Sequence, residues 1–137
     1  MEKITKILVG THNKGKFKEI SYLLSKKIKK ISPINLNIKS PPETGKTFKS
    51  NSIIKAKYFC KNSSLISLSD DSGLSVNCLG GKPGIYSARW AKKYGSFNSS
   101  MKKIIRLVDL KNRNKKVVNR KAQFIFSLSL KFPKGRA

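Results

Sequence analysis

The chain has 137 residues, of which 31 are lysine or arginine and six are aspartate or glutamate, so its formal net charge is +25. Its apolar content of 38% suffices for one hydrophobic core, and it contains no run of about eighteen apolar residues that would predict a membrane span. The two cysteines, Cys60 and Cys78, do not form a CxxC motif, so neither a metal site nor a disulfide is indicated.

A buried strand is predicted within residues 4–10, followed by a polar turn at residues 11–16 and then by a helix. The helix is indicated by apolar residues at helical spacing, which are Phe17, Ile20, Leu23, Leu24 and Ile28. A strand, a glycine-containing turn and a helix together present backbone N–H groups to an anion. The turn matches neither GxGxxG nor the Walker A motif, so by itself it does not identify a phosphate site.

A second strand is predicted at Ile31–Ile38, before a polar loop at residues 40–46. Thr47 is predicted to cap the helix that follows, whose apolar surface comes from Phe48, Ile54, Ala56, Tyr58 and Phe59. The alternation of strands and helices up to Leu68 predicts an α/β fold.

Two of the six acidic residues, Asp70 and Asp71, follow the apolar run of a third predicted strand. Residues 70–73 are predicted to break that strand, which would place both carboxylates at its end. Such carboxylates suit a surface turn, salt bridges to the many lysines, or a hard divalent cation such as Mg²⁺, which needs few protein carboxylates. Residues 80–84 combine glycines with Pro83, which is typical of a tight loop that lets a ligand approach.

The last part of the chain predicts one helix and one strand. Ser96 is predicted to cap an amphipathic helix with apolar residues from Met101 to Leu110, and residues 111–116 are predicted to be a loop. Strict alternation then predicts a strand, with Ala122, Phe124, Phe126, Leu128 and Leu130 on one face. We expect this strand to lie at an unpaired edge of the sheet.

Residues 69–90, SDDSGLSVNCLGGKPGIYSARW, closely resemble the signature of the inosine/xanthosine triphosphate pyrophosphatases, the Ham1-like family. Two other segments resemble the same family: Thr11–Lys16 fits its T-G-N-x-G-K motif, and Glu43–Phe48 fits E-T-G-x-T-F before a helix that carries Lys55. The resemblance implies a central mixed β-sheet with flanking helices that form a nucleotide cleft.

The resemblance also implies Mg²⁺-dependent hydrolysis of ITP, dITP and XTP to a nucleoside monophosphate and pyrophosphate, which removes them from the nucleotide pool. Asp71 is implied as metal ligand and proton acceptor, Asp70 as the residue that orients it, and Glu43 as a second metal ligand. The implied substrate contacts are Thr11, Asn13, Lys14, Gly15, Lys16, Lys55, Ser72 and Arg89. Lys55 would otherwise be an ordinary solvated helix lysine. Arg89 would otherwise support the contact of the homodimer that the resemblance implies.

Two positions depart from the family pattern. Ser50 stands where the family commonly has glutamate, which removes one acidic group near the metal. His12 replaces the first glycine of the turn motif and would be strained if that position required a positive φ. We do not assign this sole histidine as a catalytic base, because the sequence provides no neighbouring carboxylate to orient it.

The family's later G-F-G-Y-D-P motif, a further lysine and an S-H-R motif, which are taken to grip the purine base, are absent from this sequence. We therefore expect residues 1–137 to form a single nucleotide-pyrophosphatase domain that is incomplete at its C-terminus. One alternative is an inactive nucleotide-binding remnant.

The positive charge suggests a second alternative, a nucleic-acid-binding protein. Its lysines are spread along the whole chain, with clusters at residues 26–30 and 111–116. No zinc-finger spacing, RNP motif or row of aromatic residues accompanies them, which makes a nucleic-acid partner the less favoured reading. The opening residues lack an apolar signal segment, so we expect a soluble cytoplasmic protein without a membrane partner.

Overall fold

The computed structural model of the chain describes residues 3–135. Within this range the strands are β1 (Lys6–Val9), β2 (Lys29–Ile31), β3 (Ser67–Val76) and β4 (Ala122–Lys131). The helices are α1 (Lys14–Leu23), α2 (Phe48–Ser63), α3 (Ser87–Lys93) and α4 (Phe97–Asn112). Short 3₁₀ helices lie at Pro33–Leu36, Asn77–Leu79 and Gly84–Tyr86.

The strands form a mixed sheet in the order β2-β1-β3-β4. β1 pairs in parallel with β2 on one side and with β3 on the other, where Val9 lies opposite Leu68. A central strand that is covered on both faces is expected to be continuously apolar, and residues 7–9 are all buried. The sheet and its helices confirm the predicted α/β fold.

The chain divides into two compact units, whose boundaries fall within β3 and within β4. The first unit comprises the residues up to Asp71 and those from Ser127 onward, and the second comprises Ser72–Phe126. The buried core of the first unit is formed by Ile7, Val9, Ile20 and Ile66. That of the second unit is formed by Val76, Ile104 and Val108.

The second predicted strand, Ile31–Ile38, is wrong over most of its length, because β2 ends at Ile31 and a 3₁₀ helix follows. The Ser32 hydroxyl starts that helix by accepting a hydrogen bond from the Ile34 N–H at 3.2 Å. Pro33 occupies the first helical turn, where its missing N–H leaves no bond unmade.

The predicted break at residues 70–73 is also wrong, because β3 continues without interruption from Ser67 to Val76. Its parallel neighbour β1 ends earlier, at Val9. Asp70 and Asp71 therefore lie beyond the carboxyl end of β1, in the middle of their own strand. This edge of the sheet is where ligands generally bind in α/β proteins.

The other predicted elements are present, with shifted boundaries. Thr47 caps α2 through reciprocal hydrogen bonds with Ser50, and the Ser96 hydroxyl caps α4 by accepting from the Ser99 N–H at 3.0 Å. α1 ends at Leu23, so Ile28 lies outside it, and α4 extends to Asn112 into the predicted loop. β4 confirms the last strand and is an outer strand of the sheet. The short helix α3 was not predicted.

Candidate active site

The turn between β1 and α1 is held by its own polar side chains. The buried Thr11 hydroxyl accepts a hydrogen bond from the Asn13 N–H at 3.1 Å. The Asn13 side chain in turn caps α1 by accepting from the Lys16 N–H at 3.1 Å. The structure thus places Thr11, Asn13, Lys14, Gly15 and Lys16 at the N-terminus of α1, where the helix dipole favours an anion.

Gly10 lets the end of β1 approach β3 and α2 closely. Its N–H donates to Leu68 O at 2.8 Å, and the Ser69 hydroxyl donates to Gly10 O at 3.1 Å. A Cβ atom at this position would lie 2.5 Å from Cδ2 of Phe59 and would also collide with the Ser69 hydroxyl. The absence of a side chain at residue 10 therefore sets the distance between the turn and β3.

His12 carries none of the backbone strain that its replacement of a glycine suggested. The non-glycine residues with positive φ in residues 3–135 are Asn37, Ser64 and Asn114, so His12 has ordinary backbone geometry. Histidine is accommodated there without a left-handed conformation.

Lys16 and Lys55 both bind Asp70. Nζ of Lys16 donates to Oδ2 of Asp70 at 2.9 Å, and these two side chains are 24% and 4% exposed. Nζ of Lys55 donates to the Asp70 carbonyl oxygen at 2.8 Å and lies 3.7 Å from Oε1 of Glu43. The Lys55 side chain is only 15% exposed, so it points inward instead of standing in solvent as a surface helix lysine would.

Asp71 is buried beside a second carboxylate, that of Glu43. The pKa of Asp71 is raised to about 6, first by burial and then by the charge of Glu43. A hydrogen bond from Nδ2 of Asn51 to Oδ2 of Asp71, at 3.2 Å, and the charge of Lys55 act to lower this pKa. A carboxylate with a pKa near 6 is largely ionised at neutral pH and remains able to accept a proton.

Asn51 is the residue that contacts the Asp71 carboxylate, whereas the carboxylate of Asp70 is bound by Lys16. Asn51 is 1% exposed, and its amide also accepts a hydrogen bond from the Gly45 N–H at 2.8 Å. Sequence analysis did not single out Asn51 as a site residue. The available signal was a polar residue at the fourth position of α2, next to Ser50 of the capping box.

Ser72 and Arg89 belong to the second unit. Ser72 follows Asp71 in β3 and is half-buried. Arg89 is exposed on α3, and its guanidinium carbon lies 5.1 Å from the centre of the Tyr86 ring. The structure therefore brings the predicted residues from Thr11 to Asp71 together within the first unit, while Ser72 and Arg89 are placed in the other.

The glycine-rich loop of the second unit is tight, as predicted. Gly80, Gly81 and Gly84 have φ values of 65°, 85° and 54°, in the left-handed region that glycine adopts most readily. Ser87 ties the loop to β3, because its hydroxyl accepts from the Leu74 N–H at 3.0 Å and donates to Gly84 O at 2.6 Å. The S-A-R segment thus has a structural role through Ser87.

The carboxylates of Glu43 and Asp71 fit a divalent cation. Their mutual repulsion contributes to the raised pKa of Asp71, and a cation beside them would relieve it. Among residues 3–135, no three His, Cys, Asp or Glu side chains cluster so that together they could hold a metal. Mg²⁺ commonly uses only one or two protein carboxylates and completes its coordination with water and phosphate oxygens, so this pair is sufficient.

Known proteins resemble this chain over nearly its whole length. The model of the Ham1 family matches residues 7–137. A dITP/XTP pyrophosphatase of Rhodopseudomonas palustris is 41% identical over 132 residues, which are 95% of this chain and 62% of the relative. The solved structure of a HAM1 protein from Coxiella burnetii superimposes with a TM-score of 0.81 at 29% identity, covering 96% of this chain and 65% of that one.

The Staphylococcus aureus Ham1 protein gives a similar result, with a TM-score of 0.74 at 31% identity over 96% of this chain. The chain spans about three fifths of the length of the curated relatives that it matches. None of the helices in the described part of the chain combines the length and apolar character that crossing a membrane requires.

Proposed function

This chain belongs to the Ham1 family, and we propose that it is a nucleoside triphosphate pyrophosphatase acting on deaminated purine nucleotides such as ITP, dITP and XTP. A water molecule adds its oxygen to a phosphorus atom of the α–β anhydride, the bridging P–O bond breaks, and a nucleoside monophosphate and pyrophosphate leave. The observation that carries this proposal is the buried Asp71, with its raised pKa, beside Glu43 and Lys55 at the carboxyl edge of the sheet.

Asp71 accepts the proton that the attacking water loses. Its pKa of about 6 makes it a stronger base than an ordinary aspartate, and its burial limits competition from bulk water. The hydrogen bond from Asn51 goes to Oδ2 of Asp71, so the other carboxylate oxygen of Asp71, Oδ1, does not take part in it. The side chain therefore enters the reaction in a fixed orientation.

The lysines and the start of α1 receive the phosphates. Lys16 and Lys55 lie within hydrogen-bond or ion-pair distance of the acidic residues, so they surround the same small region with positive charge. Thr11, Asn13, Lys14 and Gly15 belong to the turn and the first turn of α1, a helix N-terminus of the kind that binds anions. For Ser72 and Arg89, which lie in the other unit, the proposed substrate contact rests on the family resemblance.

We further propose Mg²⁺ as the cofactor, held by Glu43 and Asp71. When bound, the ion supplies charge neutralisation at the phosphate oxygens and lowers the pKa of coordinated water. The resemblance also supports action in the cytoplasm and a homodimeric state, which sedimentation velocity of the purified chain would measure.

The deciding experiment is pyrophosphate release from ITP, dITP, XTP and ATP with Mg²⁺, for the wild type and for Asp71→Asn. We expect release from the first three to fall by at least about 10²-fold in the variant, because the proton acceptor is lost. Asp109→Asn is the matched control, since Asp109 is exposed and pairs with Arg120 in the second unit. Equal activity of the Asp71→Asn and wild-type proteins would overturn the assignment of Asp71.

A nucleotide-binding role without turnover is the second candidate, and the observation that favours it is Ser50, which stands where the family commonly has an acidic residue near the metal. Under this reading no nucleotide yields pyrophosphate, while ITP with Mg²⁺ still raises the melting temperature by mass action. Thermal shift and pyrophosphate release on the same preparation separate the two candidates.

A further inference from the structure

Glu43 lies on a segment that has no regular secondary structure. Residues 39–46, here called the Glu43 segment, connect the 3₁₀ helix Pro33–Leu36 to the cap of α2. A carboxylate on such a segment keeps a defined position only if the segment is tied down by other parts of the molecule. The structure contains such a tie at each end.

His12 ties the start of the segment to the turn after β1. Its Nε2 lies 2.8 Å from Ile38 O, and its Nδ1 lies 2.6 Å from the Ser40 hydroxyl. A carbonyl oxygen can only accept, so Nε2 carries the hydrogen and, in the neutral ring, Nδ1 accepts from Ser40. The ring also stands against Phe59, with ring centres 6.0 Å apart, which limits its rotation.

Asn51 ties the other end of the segment to Asp71. Its Oδ1 accepts from the Gly45 N–H at 2.8 Å, and its Nδ2 donates to Asp71 at 3.2 Å. Both ends of the buried amide are thus used, and neither an aspartate nor an apolar residue would serve both partners. A Cβ atom at Gly45 would lie 2.6 Å from Oδ1 of Asn51, so the approach depends on glycine there.

We propose that His12 and Asn51 are positioning residues that fasten the Glu43 segment at its two ends, so that Glu43 stands beside Lys55 and Asp71 before any ligand arrives. The assignment deepens the proposed function and rests on it for the role of Glu43 as a metal ligand. His12 lies between Thr11 and Asn13, so the same contacts couple the turn between β1 and α1 to the segment. The two carboxylates then need little rearrangement when a cation and a triphosphate bind.

The test compares His12→Ala with the wild type, both as metal-free protein of residues 1–137, by hydrogen exchange of residues 39–46. We expect exchange in the segment to rise about tenfold, while exchange within α2 stays unchanged, because only the local tie is lost. Isothermal titration with Mg²⁺ alone should show an affinity roughly tenfold lower. His12→Gln, whose side-chain amide retains a donor for Ile38 O, should recover part of both losses.

Asn51→Leu provides the second variant, since leucine is similar in size to asparagine but offers neither the acceptor for the Gly45 N–H nor the donor to Asp71. We expect faster exchange of the Gly45 amide and lower Mg²⁺ affinity than in the wild type. Asn62→Ala is the matched control, because Asn62 lies on the same helix and its side-chain amide donates within that helix, to Tyr58 O.

Unchanged exchange in the segment and unchanged Mg²⁺ affinity in His12→Ala, with an active wild type, would overturn this inference alone. Faster exchange in the segment, in a wild-type background that neither binds Mg²⁺ nor releases pyrophosphate, would support the tie and overturn the proposed function. The two failures are therefore distinguishable.

Discussion

Ionisation of the buried Asp71 carboxyl reduces the free energy of unfolding. The pKa of Asp71 is raised to about 6, first by burial and then by the charge of Glu43, whereas an unfolded aspartate has a pKa of about 3.9. The folded state therefore binds this proton more tightly, so the stabilisation is complete below about pH 4 and is lost as the pH rises through 6. We expect Asp71→Asn, which cannot ionise, to be more stable than the wild type at neutral pH by on the order of 1 kcal/mol.

Urea unfolding of the metal-free proteins at about pH 7.5 and about pH 4 measures this difference. The higher free energy of unfolding of Asp71→Asn, relative to the wild type, should be present at the higher pH and nearly absent at the lower one. Asp109→Asn, which breaks an exposed ion pair with Arg120, should change the free energy of unfolding by less than about 1 kcal/mol at either pH. A gain for Asp71→Asn that is equal at both pH values would show that ionisation is not its cause.

At the same scale, the sequence predicted which residue types gather at the site but not which atoms meet. The motifs named Lys16, Lys55 and Asp71 because each stands in a recognisable pattern. The hydrogen-bond partners of these residues were not predicted, because they depend on tertiary contacts. Lys16 and Asp70 are 54 residues apart in the sequence, and Asn51 and Asp71 are 20 apart. A buried asparagine has no pattern of its own, since its role exists only once α2 packs beside β3.

Among the elements, β1, β3 and α2 meet most closely at Gly10. We expect Gly10→Ala to destabilise the protein by about 1–3 kcal/mol, because the new Cβ would lie 2.5 Å from Phe59 and would collide with Ser69. Phe59 and Ser69 are both fully buried, so neither side chain has open space to move into. Urea unfolding followed by circular dichroism measures the loss.

Gly15→Ala is the matched control, with the same change of side chain inside α1. Its Cβ would stand 3.3 Å from Oδ1 of Asn13, a contact tight enough to offset the roughly 1 kcal/mol that alanine gains over glycine in a helix. We therefore expect a change near zero. If Gly10→Ala proved as stable as Gly15→Ala, the missing side chain at residue 10 would not be what sets the distance between β3 and the turn that follows β1.

Most element types followed from periodicity, while several boundaries did not, and the two largest boundary errors have identifiable causes. β3 is ten residues long and passes through Asp70 and Asp71, whereas β1 has only four residues; β4, the neighbour of β3 on the other side, is as long as β3 itself. The residues of one strand do not indicate how far the neighbouring strands extend, so the length of β3 could not be predicted from its own sequence. The strand predicted at Ile31–Ile38 failed for a local reason, since Ser32 and Pro33 start a 3₁₀ helix despite the apolar residues that follow.

The whole molecule carries a formal net charge of +25, because its 31 lysines and arginines far outnumber its six acidic residues. Glu43, Asp70 and Asp71 are gathered in the first unit, and Asp109, the single acidic residue in the sequence of the second unit, is paired with Arg120. Most lysines and arginines therefore contribute to an unbalanced positive field. Such a field attracts any polyanion, whether or not a binding site is built for it.

We expect this field to produce salt-sensitive binding to DNA that is unrelated to the candidate active site. The apparent affinity for a short duplex, measured by fluorescence anisotropy, should fall steeply and log-linearly with NaCl, by about 10³-fold or more between about 50 and 200 mM, because binding releases counterions. Asp71→Asn should follow the same line, and a duplex of different sequence should do so as well. Binding that persists at 200 mM salt and distinguishes the two duplexes would mean that the basic surface reads nucleic acid, and the charge would then have a function separate from nucleotide hydrolysis.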